Sequence, residues 1–177
     1  MKTKGIIFKT LAFWVGYIVL HYAYDFIPIG AIAFISGTDE SFFQHQKIGF
    51  FTYAFVCVGE YVIRRKQIKN IETFIFTRLF TTMLVPWFIF ILWYAGPAYV
   101  GAFPNVAIEV TFSNVIVILV GLAVLAVERM LDRLTFDRGF KLVTAALFVI
   151  SVSLFFIFTQ RLPWCDVFAD PTLLPLD

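Results

Sequence analysis

Apolar runs long enough to cross a bilayer recur five times in this chain, near residues 6–27, 41–63, 74–95, 107–127 and 140–159. A hydrocarbon core about 30 Å thick is spanned by about 20 residues of helix. Backbone inside lipid must satisfy its own hydrogen bonds, and a helix does so within one segment. The sequence therefore reads as an all-α polytopic transmembrane bundle of five spans, a multi-pass cell-membrane protein in a single domain over 1–177, with 160–177 as an outer tail. Composition points the same way. The 177 residues are 60% hydrophobic and 15% charged, against about half and about a quarter in soluble domains. A soluble core of this size has no room for that much apolar surface. The connection "IPIGAIAFISGTD" is apolar but short and carries Pro and Gly, so it is expected to dip into the interface rather than cross. The N-terminal stretch "MKTKGIIFKTLAFWVGYIVLHYAYDF" has a basic start like a signal peptide, and "AIA" at 31–33 resembles a cleavage site. The apolar run is too long for that, and it reads as a retained helix.

Positive charge sets the orientation. Twelve of the fourteen Lys and Arg residues fall on one side of this span pattern: Lys2, Lys4 and Lys9 before the first span, Arg64, Arg65, Lys66, Lys69 and Arg78 around the second connection, and Arg129, Arg133, Arg138 and Lys141 around the fourth. Only Lys47 and Arg161 fall on the other. Positive residues stay cytoplasmic, so the N-terminus is expected inside and the C-terminus outside. Trp14, Trp87, Trp93 and Trp164 lie mostly near span ends, as an aromatic belt does. Cys57 falls mid-span and Cys165 in the tail, so two separate thiols are expected. Gly59 and Gly121 stand isolated, with no sustained small-residue seam for self-association. The net charge of +2 is too small to indicate nucleic acid as a partner. Membrane lipids and a membrane-protein partner fit the composition better.

Ionisable groups inside spans mark functional candidates. On the outer side, Tyr17, His21 and Asp25 recur every fourth residue and share a face of the first helix. The second helix is expected to open on Asp39 and Glu40 in its first turn, with Thr38 or Asp39 as cap. Ser41 and His45 follow, and Glu109 lies one turn into the fourth helix from the same side. Two imidazoles with Asp25, Glu40 or Glu109 form a donor set for a divalent metal such as zinc or iron. Asp25 is the carboxylate first assigned, giving His21, His45 and Asp25 as metal ligands. Without metal, His45 oriented by Glu40 or Asp25 is a general-base candidate. Bis-histidine haem is a further arrangement, though no motif singles it out. The plain alternative is that the acids only cap a helix and the polar groups only reach interfacial water. On the cytoplasmic side, Glu60 and Arg78 face each other across a helical hairpin and are expected to form a structural ion pair. No HExxH, GxSxG, Walker loop or CxxC is present. Whether the protein is an enzyme stays open at this point. So do two other functions, a non-catalytic subunit of a larger membrane complex and a small transporter or channel.

Three stretches together, "HYAYDF…GTDESFFQHQKIGFF", "GEYVI" and "FTQRLPWCDVFADPT", resemble a family of small prokaryotic integral membrane proteins. That family has an N-E-S-x-x-x-H-x-K motif, a glutamate–tyrosine pair ending its second helix and an F-x-D-P-x-T tail. Asp39 stands where that pattern has Asn, and "LLPLD" replaces its glycine-rich finish. The resemblance implies a multi-helix membrane fold and carries no activity. It further implies one outer assembly of Glu40, Ser41, His45, Lys47 and Asp170, with Asp170, Pro171 and Thr172 folded back over the outer mouth. Adding His21, Asp25 and Glu109 from depth alone gives the expected pocket, with His21, Ser41, Lys47, Glu109 and Asp170 as its ligand-binding groups.

Overall fold

The computed structural model of the protein describes residues 3–101, 103–170 and 173. Lys2, Pro171 and Thr172 lie outside them. The described residues are all-α. Five long helices, α1 (Thr3–Phe26), α3 (Phe42–Arg64), α4 (Ile71–Val100), α5 (Val106–Leu131) and α6 (Arg138–Gln160), are joined by short connections. A single short turn, α2 (Gly30–Ala33), occupies the apolar connection after α1. Side-chain caps explain where three helices start. Asn70, Asn105 and Asp137 accept the backbone N–H groups of Thr73 (3.0 Å), Ile108 (3.0 Å) and Phe140 (2.7 Å), each satisfying one of the donors that a helix N-terminus leaves open. Gly101 ends α4 at φ 72°, a left-handed conformation natural to glycine. α4 runs on to Val100 with Pro86 and Pro97 inside it, past the expected end near residue 95.

Among the described residues, α1, α4, α5 and α6 are long and apolar enough to cross a membrane. α3 is equally long but falls short by composition, because Gln44, His45, Gln46 and Lys47 dilute it. Its position accounts for that. α1 packs on α3, α3 on α4, α4 on α5 and α5 on α1, so four helices close a ring. α3 buries Gln44, Lys47 and Glu60 against its neighbours. The core is the apolar centre of this ring: Phe13 and Tyr17 from α1, Ile48 and Tyr53 from α3, Val85 and Ile89 from α4, and Val117, Val120 and Val124 from α5. Close approach is set by glycines that the spacing rules passed over. A Cβ at Gly16 would meet Thr52, one at Gly49 would meet Ile89 and Val85, and one at Gly121 would meet Phe13 and Thr10. α6 packs outside the ring on α4, with Thr144 its only buried residue. After it, the short turn Asp166–Phe168 returns to α3, where the Phe168 ring lies 4.8 Å from that of Phe43.

Candidate metal centre

The acids at 39 and 40 do not open the helix. α3 starts at Phe42 with Ser41 as N-cap, and no acid lies in its first turn. Asp39 instead closes the turn ahead of it, accepting the Ser41 N–H at 2.8 Å and the Gln44 amide at 2.9 Å. That leaves Glu40 outside the helix and free to face α1. There His21, near the C-terminal end of α1, meets His45, one turn into α3. Their Nε2 atoms are 3.4 Å apart, and Glu40 Oε2 lies 3.6 Å from each. Among the described residues these three form the group whose ligand atoms converge closely enough for a metal ion, all within 4.8 Å of one another.

The rings are oriented for that role. His45 Nδ1 is 2.9 Å from the Ser41 carbonyl. A carbonyl only accepts, so Nδ1 carries the proton and Nε2 presents a lone pair to the centre. Trp93 of α4 lies nearly parallel to the His45 ring at 6.3 Å, and Tyr22 flanks His21 at 4.8 Å. The Tyr17 hydroxyl donates to the His45 carbonyl at 3.4 Å. His21 Nδ1 is buried with no hydrogen-bond partner, so no protein group fixes that ring's tautomer. Glu40 is half-exposed. Hydrogen bonding to the His21 ring, and after it the charges of both imidazoles, holds its carboxyl below the usual carboxylate range against partial burial and the opposing charge of Asp170. Glu40 therefore stays anionic to lower pH than a free glutamate.

The other predicted residues divide. Asp25 is exposed near the end of α1 and outside the converging set, because four residues carry it about 6 Å beyond His21 along the axis. The carboxylate assigned to the metal and to orienting His45 is thus Glu40 rather than Asp25. Ser41 contributes its carbonyl, while its own hydroxyl is buried without a partner. Lys47 is fully buried, but its Nζ donates to the Ala33 carbonyl at 2.7 Å and to Thr159 of α6 at 3.2 Å. It pins the α2 turn rather than facing the imidazoles. Glu109 sits one turn into α5, half-buried, and is not in the converging set. Asp170 is close enough to Glu40 for its charge to be felt there.

The second polar cluster is larger than the pair read from the sequence. Glu60 and Arg78 do meet, at 3.2 Å. Lys9 and Glu128 join them, with Lys9 Nζ 2.7 Å from Glu60 and 2.8 Å from Glu128. Each of the four ring helices thus supplies one charge. Arg78 also pairs with Asp132, and Arg64 with Glu60. Tyr53 donates to Glu128 at 2.6 Å. Lys9 is 4% exposed and Glu128 1%. Lys9 read as a flanking charge because it sits near the N-terminus, and Glu128 was missed because Arg129 beside it reads as a helix end. The available signal was that a glutamate preceded by 13 residues of unbroken apolar and small side chains, 115–127, needs a partner. Both cysteines are free, Cys57 buried and Cys165 exposed. No family model, curated protein or solved structure matches the chain.

Proposed function

We propose that this is a five-span integral membrane protein, N-terminus cytoplasmic and C-terminus outside, which binds a divalent metal ion of the zinc class at its outer face through His21, His45 and Glu40. One observation carries the reading, the triangle of donor atoms with sides of 3.4, 3.6 and 3.6 Å. Two ligand atoms about 2.1 Å from a tetrahedral zinc lie about 3.4 Å from each other. The donor triangle already has that size. Two histidines and one carboxylate, with one ring held by a backbone carbonyl, leave a tetrahedral position for water or a substrate group. Partial exposure of Glu40 gives that position a route to solvent. The orientation rests on the distribution of Lys and Arg described above.

Elemental analysis of the purified protein tests this. Near-stoichiometric zinc in the wild type, lost in His21→Ala and in His45→Ala, is the expected result. Metal absent from the wild type after incubation with zinc and desalting would refute it. A second reading, a subunit of a larger membrane complex, is favoured by α6, which exposes apolar residues along its length. It predicts a stoichiometric partner in mild detergent that is lost when Leu147, Ile150 and Leu154 are replaced by polar residues.

A further inference from the structure

The inner charged cluster has no part in metal capture at the outer face, and its centre is unusual. Lys9 Nζ is 2.7 Å from Glu60 Oε2 and 2.8 Å from each carboxylate oxygen of Glu128. Three carboxylate oxygens from two helices surround one positive point, as they would a bound cation, and a tethered ammonium occupies it. A lysine is a compact charge on a flexible stem, so it can fill such a site and vacate it. Cys57 donates its thiol to the same Glu128 oxygen at 3.9 Å, which adds a soft donor suited to zinc. Arg78 faces the cluster from α4 and pairs with Glu60, with Glu128 at 3.5 Å and with Asp132, so both carboxylates keep a fixed cation beside them.

A second, independent observation lies between the two sites. They are joined along the ring axis by a stack of aromatic residues. Tyr17 touches the outer site, Tyr53 touches the inner one, and Phe13 lies edge-on to both, at 6.3 and 5.4 Å, with no exposure at all. Around this plug two hydroxyls, Thr10 Oγ1 and Thr52 Oγ1, are buried with no hydrogen-bond partner. Thr52 packs at Gly16 of α1, and Thr10 packs with Phe13 at Gly121 of α5. Buried hydroxyls without partners are rare and unfavourable. Their place beside Phe13, in the apolar core between the two sites, fits a path that is dry and closed in this conformation. Arg64 and Asp132, both partly exposed, open the inner site to the opposite face.

Resting on the metal reading of the outer triad, we infer that the protein transports its divalent cation: the outer triad captures the ion, Phe13 gates its passage, and Glu60 with Glu128 receives it as the Lys9 ammonium moves aside. The inner site is the weaker of the two, because oxygen donors shared with a resident ammonium hold zinc less firmly than two imidazoles do. That difference permits release. The ion is moved without covalent change, and Lys9 returns to the carboxylates when it leaves.

The test is uptake of zinc ions into vesicles of purified full-length protein loaded with a zinc-sensitive dye, beside zinc binding by the same preparation in detergent. Saturable wild-type uptake is expected. In Glu128→Gln and in Thr52→Val the maximal rate should fall at least about tenfold, with the half-saturating concentration held, since the capturing site is intact. Thr52→Val removes an unpaired hydroxyl and keeps the shape, so a purely structural role predicts no loss of flux. Phe13→Ala should raise uptake at low zinc. Zinc bound by the wild type with uptake no faster than in protein-free vesicles overturns the inference and leaves the outer site standing. Full flux in both Glu128→Gln and Thr52→Val overturns it too. No binding in detergent removes both readings together.

Discussion

Two side chains show how residue-scale energetics divide this molecule. Glu128 accepts from Lys9, Tyr53 and Thr81 while nearly inaccessible, so removing it leaves the buried Lys9 ammonium and Arg78 to share Glu60 and strands the Tyr53 hydroxyl. Glu128→Ala is expected to cost about 3–5 kcal/mol, seen as a large drop in melting temperature in detergent. The double change Lys9→Met with Glu128→Gln removes the ammonium as well and should recover part of that loss. Glu40 is the opposite case, half-exposed and without neighbours that depend on it for folding. Glu40→Gln should leave melting within about 0.5 kcal/mol of wild type and weaken zinc binding at least about tenfold, read by competition with a chelator. The sequence placed His21 and His45 together because two histidines on adjacent antiparallel spans have little choice of depth. It put Asp25, on the same face of α1 as His21, ahead of Glu40 as the metal's carboxylate, because the place of Glu40 depended on whether α3 began at residue 39 or 42. Helix starts shift by a turn with the local hydrogen bonds of one aspartate.

At the scale of elements, helix existence was legible throughout and helix environment was not. Long apolar runs give five helices whatever their neighbours. Which faces meet is decided by fit, and the glycines carry that information. Gly49 lies against α4, where any Cβ would strike Ile89 and Val85. Gly49→Ala is expected to cost about 1–3 kcal/mol by overpacking. Gly59, one of the two glycines that stood out in the sequence, faces open space. Gly59→Ala should gain up to about 1 kcal/mol through helix propensity alone. Thermal melting of the two variants side by side reads out the difference in sign. The polar character of α3 has the same origin. A helix that looks too hydrophilic to cross is enclosed by its neighbours: Glu60 turns to the other ring helices, Lys47 to the α2 turn and α6, and Gln44 to the turn ahead of α3.

For the whole molecule, the native cysteines report orientation. Cys165 is exposed beyond α6 and Cys57 is buried within the ring. A membrane-impermeant maleimide added to intact cells should label the wild type and Cys57→Ser but not Cys165→Ser. Labelling only after permeabilisation would reverse the assigned topology. The inner cluster also has a consequence for the order in which the chain is made. Lys9 leaves the ribosome 119 residues before its partner Glu128, an interval of roughly 6–24 seconds at about 5–20 residues per second. During that time its ammonium lacks its final counter-ion. Its place about two turns from the start of α1 lets the side chain reach the interface while it waits. The same holds for Glu60 and Arg78, which lie close to the corresponding ends of α3 and α4. Bundle closure then becomes a late event of biogenesis, drawing each waiting charge inward once α5 arrives. Nascent chains arrested before residue 128 should remain an open set of helices, with Lys9 still within reach of water.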